Sequence, residues 1–188
     1  MNKLFLTFGL ILCGMLPVEA QLHKPQLPSN WDQEHYKLWT TLENNGITTR
    51  LSSSDYICDL LAGYYGMQDG VIKLGVCSHD NLGQADKNTL RHESIHAIQD
   101  CLSSNRNGEV APITTDNAYN AIADDWSPYE MMKVYKDYVP KEGDAINEVV
   151  IDYSNYEYIR SEVEAFYYAE KLSAKEIADW VDEACSTK

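Results

Sequence analysis

From Trp31 to about Glu43 the apolar positions fall at helical spacing, with Trp31, His35/Tyr36, Leu38/Trp39 and Leu42 on one face. Ser29 is placed to cap that helix and Asn44-Asn45-Gly46 to stop it. Ile47 to about Leu51 predicts a short strand. The period then changes to two. Leu60–Tyr65 and Val71–Val76 flank a Gln68-Asp69-Gly70 turn, and Ile72, Leu74 and Val76 share one face of the second strand. Gly70 suits the positive φ of a hairpin loop. Residues 78–85 read as a polar loop, followed by a helix from about Asp86 to Ser103. After a break containing Asn105, Asn107, Gly108 and Pro112, the chain reads as helical to its end. Ser127-Pro128 marks one helix start and Ser173 with Glu176 a capping box. The expected class is α+β: a small N-terminal sheet or hairpin, then a helical C-terminal half, around one core.

The first twenty residues belong to a different pattern. Lys3 precedes a nearly uncharged apolar run from Leu4 to Leu16, and Val18-Glu19-Ala20 resembles a small-residue cleavage site. That run is shorter than the roughly 20 residues a membrane span needs. Residues 1–20 are therefore expected to be a signal peptide and 21–188 a single domain, secreted or periplasmic; a retained membrane anchor is the alternative. Cys13 leaves with the signal, so Cys58, Cys77, Cys101 and Cys185 remain. In an exported chain they suggest two disulfides, with four buried thiols as the alternative.

Composition narrows the partners. Fifteen Lys+Arg against 29 Asp+Glu give a net charge of −14, which repels phosphate backbones and anionic lipid surfaces. Neither nucleic acid nor, once the signal is removed, a membrane is an expected partner. A peptide or protein substrate is, for the reason that follows.

Within the helix from about Asp86 lies His92-Glu93-Ser94-Ile95-His96. Histidines at i and i+4 project one turn apart from one helix face, so both imidazoles can reach one metal ion. Glu93 points about 100° off that face, beside the ion, where a general base would sit. A catalytic zinc keeps three protein ligands. Positions 99 and 102 are Gln and Leu, which excludes a third histidine from the same helix.

Helical phase selects among the downstream carboxylates. Glu162 shares its face with Tyr158, Ile159, Ala165, Phe166 and Ala169, whereas Glu164 shares its face with Glu157, Arg160, Tyr168 and Lys171. A carboxylate on an apolar face is costly unless paired, and a dication pairs it well. Glu162 is thus the expected third ligand, with Glu164 and Asp152 as substitutes. His23, His35 and His79 carry no comparable signal, and Tyr153, Tyr156, Tyr158 and Tyr167 are equal candidates to stabilise an oxyanion.

His92-Glu93-Ser94-Ile95-His96-Ala97-Ile98-Gln99 followed by Glu162-Val163-Glu164-Ala165 resembles the gluzincin group of zincin metallopeptidases, in its small HExxHxxQ…ExxA form. The resemblance implies a zincin-like domain in which the first Glu of ExxA is a ligand and the hairpin supplies an edge strand. Phe166 departs from it, because many such families place there an Asp or Asn that buttresses a zinc-bound His. The expected function is an exported zinc metallopeptidase with Glu93 as general base; the alternative is a metal-loaded, non-hydrolytic binding module of the same fold.

Two finer expectations concern the hairpin. Substrate is expected to add as a strand along Val71–Val76. If Met67 faces Val71, opposed positions sum to about 138, so Cys77 lies across from Leu61, near Cys58. That register pairs Cys58 with Cys77 and leaves Cys101 to pair with Cys185.

Overall fold

In the computed structural model the described residues are 27, 29–52, 56–59, 61–77, 83–103, 106–125 and 156–186. Helix α1 spans Gln33–Asn44, capped by Asp32, whose side chain accepts from the His35 N–H. The expected cap, Ser29, lies a turn too early. His35 is buried and its Nδ1 lies 2.7 Å from the same Asp32 carboxylate, so this histidine serves the cap. That hydrogen bond outweighs burial and holds Asp32 well below the usual carboxylate range.

Strand β1 (Thr48–Ser52), β2 (Gly63–Gln68) and β3 (Val71–Cys77) form a sheet of order β1-β3-β2. β1 runs parallel to β3, and β2 antiparallel to it. Asp69 and Gly70 both have positive φ, 55° and 75°, which makes a two-residue turn of the mirror type that matches strand twist. The tighter turn shifts the register by one, pairing Gln68 with Val71 and Met67 with Ile72. Cys77 accordingly donates its N–H to Ala62, at 2.8 Å, and not across from Leu61.

β3 is also the central strand, so the expectation of an exposed edge along Val71–Val76 is overturned. Leu74, Gly75, Val76 and Cys77 are buried in succession, which marks a strand covered on both faces. The Tyr64 ring lies where a Cβ on Gly75 would be. The outer strands are β1 and β2.

Helix α2 (Gly83–Leu102) begins three residues before its expected start. α3 (Asp116–Asp125), α4 (Tyr156–Lys171) and α5 (Ala174–Cys185) follow, α5 with the expected Ser173/Glu176 capping box. Five helices and a three-stranded mixed sheet among the described residues make the class α+β. α2 packs on β2 and β3 from one side and on α4 and α5 from the other, and α5 also packs on α1. The core is the filling between them: Leu38, Trp39, Leu42, Leu74, Val76, Leu90, Ile95, Ile98, Ile177 and Val181. Residues 1–20, Ser127-Pro128, His23, His79, Asp152 and Tyr153 lie outside the described residues.

The disulfides are Cys58–Cys77 and Cys101–Cys185, as the sequence suggested, despite the one-residue register shift. The first ties the short helical turn Tyr56–Asp59 to β3, and the second ties α2 to α5. Their sequence separations are 19 and 84 residues, worth about 3 and 4.5 kcal/mol from loop closure alone. The Cys101→Ser/Cys185→Ser pair is therefore expected to lose more stability in urea than Cys58→Ser/Cys77→Ser. The opposite ranking would show that loop closure is not the dominant contribution.

Candidate metal centre

Between Leu90 and Cys101 only Arg91 escapes burial, so this stretch of α2 is enclosed on every side. Its polar side chains therefore need partners inside the protein. Ser94 donates to the Leu90 carbonyl at 2.6 Å. Asp100 accepts from the Tyr65 hydroxyl at 2.7 Å and from the N–H groups of Asn107 and Gly108 at 2.9 and 3.1 Å. Burial and the Asp100 charge push the Tyr65 hydroxyl well above the ordinary tyrosine range.

His92 and His96 meet Glu162 of α4. Nε2 of His92 lies 3.4 Å from one Glu162 oxygen, Nε2 of His96 lies 3.3 Å from the other, and the two Nε2 atoms are 3.1 Å apart. Donor atoms about 2.0–2.2 Å from one tetrahedral ion stand roughly 3.3–3.6 Å from each other, so the two histidine–carboxylate spacings match a single zinc-sized cation and the histidine–histidine spacing is slightly shorter. His92, His96 and Glu162 are brought together as a group that could hold a metal ion. Fully buried Ala165, one turn along α4, is part of the core against which α2 packs.

Glu164 has a different task. It is fully buried, contrary to its expected polar face, and accepts from Ile113 N–H at 2.7 Å, Thr114 N–H at 3.1 Å and the Thr114 hydroxyl. Arg160, one turn earlier, lies 3.5 Å away and also pairs with Asp116. Helical phase sorted the two carboxylates correctly by face but took the Arg160/Glu164 face to be polar, because it could not see the 109–115 segment folding over it.

The charges of the metal-free cluster are coupled. Burial opposes ionisation of Glu162, but the two imidazoles prevail and hold its carboxyl well below the usual range. Burial likewise opposes the charge on His96, yet Glu162, Glu93 and Gln99 lift that imidazole to about 9. Burial pushes Glu93 upward, partly offset by the two histidines. A raised His96 stabilises the fold fully below its unfolded value, near 6.5, and that contribution disappears as pH rises through about 9. Glu93 acts with the same sign, since the folded state holds its proton more tightly. Chelated protein should therefore melt at progressively lower temperature between pH 6.5 and 9, as read by calorimetry. A midpoint that rises over this interval would contradict the ion pairing of the cluster.

Glu93 faces the start of β2. A Cβ on Gly63 would lie 2.4 Å from Thr89 Cγ2 and 2.9 Å from both a Glu93 oxygen and the Gly75 carbonyl. Only glycine lets the strand come this close to the carboxylate. Gly63→Ala is expected to cost about 1–3 kcal/mol, measured by denaturant unfolding, and to displace Glu93. Unchanged stability would mean that the strand gives way easily.

Beside this cluster, Phe166 packs its ring on His92, with centroids 4.1 Å apart. Gln99 contributes what sequence reading missed: its Oε1 lies 2.7 Å from Nδ1 of His96. The signal was available, because Gln99 stands three residues after His96, on the same face. Tyr167 stacks against Tyr168 and lies under Lys171, and Tyr158 is half-buried.

No protein-family model matches the chain, and neither a curated protein nor a solved structure is significantly similar to it.

Proposed function

We propose that this chain is an exported zinc-dependent metallopeptidase of gluzincin type. The observation that carries the reading is the three-way spacing of 3.1, 3.3 and 3.4 Å among His92, His96 and Glu162, with Glu93 buried between those ligands and β2. His92, His96 and Glu162 would hold the zinc, which supplies Lewis acidity to polarise a scissile carbonyl and acidify water. Glu93 is the proton carrier. Its burial raises its proton affinity above that of an ordinary carboxylate, which suits a group that must accept a proton from water and return it to the leaving nitrogen. The enclosure of α2 limits competing solvent at Glu93, and two disulfides suit an oxidising compartment outside the cytoplasm.

Hydrolysis of casein or a peptide library by the oxidised protein tests this. Activity should be abolished by a chelator and restored by zinc. Stoichiometric zinc without hydrolysis of any peptide in the library would instead establish the non-hydrolytic binding module.

A further inference from the structure

Gln99 is buried where α2 faces α4, and its side-chain amide is engaged at both ends. The oxygen faces Nδ1 of His96, while the nitrogen donates to the Ser161 carbonyl at 2.9 Å and to a Glu164 oxygen at 3.3 Å. Turning the amide over would set its oxygen against a carbonyl and a carboxylate, so the network permits one orientation. An amide oxygen only accepts. Nδ1 of His96 must then carry the hydrogen, and in the neutral ring the lone pair stands at Nε2, toward His92 and Glu162.

Glu164 keeps the amide in that orientation. Its oxygens also engage the amide groups of Ile113 and Thr114, the Thr114 hydroxyl and Arg160, so the carboxylate is itself held in place. Ser161 and Glu164 flank Glu162 along α4. The amide that selects the His96 tautomer thus also sets the Glu162 turn against α2. We infer that Gln99, oriented by Glu164, is a positioning residue for the ligands His96 and Glu162. This rests on the reading of His92, His96 and Glu162 as a metal centre.

The test uses zinc alone and the oxidised protein. Gln99→Leu removes both amide contacts, and Gln99→Met keeps a straight chain should the leucine variant fail to fold. Competition with a chelator is expected to show zinc affinity about 10–100-fold weaker. Nitrogen-15 spectra of the same zinc-exposed samples should show a hydrogen at Nδ1 of His96, protected from exchange in the wild type and exchanging faster in the variants. A natively folded variant that binds zinc within twofold of wild type, or an Nε2–H tautomer in the wild type, overturns the inference. If the wild type binds no zinc, the metal-centre reading fails, and the tautomer spectra decide the positioning role by themselves.

Discussion

Replacing Glu93 by glutamine is expected to leave zinc bound and to slow peptide hydrolysis by about 10²–10⁴-fold. The substitution keeps the shape that fits between α2 and Gly63 but removes the ability to accept a proton. Glu93 is not among the three groups that could hold a metal ion, so metal content should not change. The loss should fall on kcat with KM nearly constant, because the proton transfer belongs to the transition state and not to substrate binding. The measurement is steady-state hydrolysis of one fluorogenic peptide beside metal analysis of the same preparation. Activity within tenfold of wild type would remove Glu93 from the chemistry.

The second large effect separates two carboxylates that stand two residues apart. Glu162→Ala should give a folded protein whose zinc affinity falls by more than the 10–100-fold that supporting residues command, since among the described residues it deletes the one carboxylate that groups with His92 and His96. Glu164→Ala should instead lose about 1–3 kcal/mol of stability, because the 113–114 amides are left inside without their acceptor, while Arg160 keeps its pairing with Asp116. Where that variant is folded it should still take up zinc, weakened through Gln99. Urea titrations and zinc competition on both variants provide the check. Full-affinity zinc in Glu162→Ala, with none in folded Glu164→Ala, would exchange the two assignments.

Much of this arrangement was legible in the sequence because it follows from local periodicity. Two histidines one turn apart need no tertiary information, and the phase of α4 was enough to prefer Glu162, since a carboxylate among Ile159, Ala165 and Phe166 must find a cation. Capping at Ser173 and the α+β order were likewise local. The cysteine pairing survived a register error, because a one-residue slip changes which residue faces Cys77 without moving Cys58 out of reach.

What was not legible depended on segments distant in sequence. β3 looked like an edge because hairpin signals describe β2 and β3 alone, and nothing local announces that Thr48–Ser52 will pair in parallel on the other side. The uncharged run Leu74-Gly75-Val76-Cys77 was the available hint of a central strand. Gln99, Asp100 and Glu164 were hidden for a related reason. Each is polar, and a polar side chain reads as solvated until the loop or helix that satisfies it is in view. Asp100 gathers the 107–108 amides and Tyr65, and Glu164 gathers the 113–114 amides, so the same two carboxylates fold the connecting segment back over the helices.

Zinc bound per chain, measured by mass spectrometry of the oxidised protein after zinc exposure and gel filtration, bears most directly on the central claim. The arrangement of His92, His96 and Glu162 predicts one equivalent in the wild type and close to none in His96→Ala and Glu162→Ala. A wild type that elutes without zinc, or variants that retain a full equivalent, would contradict it.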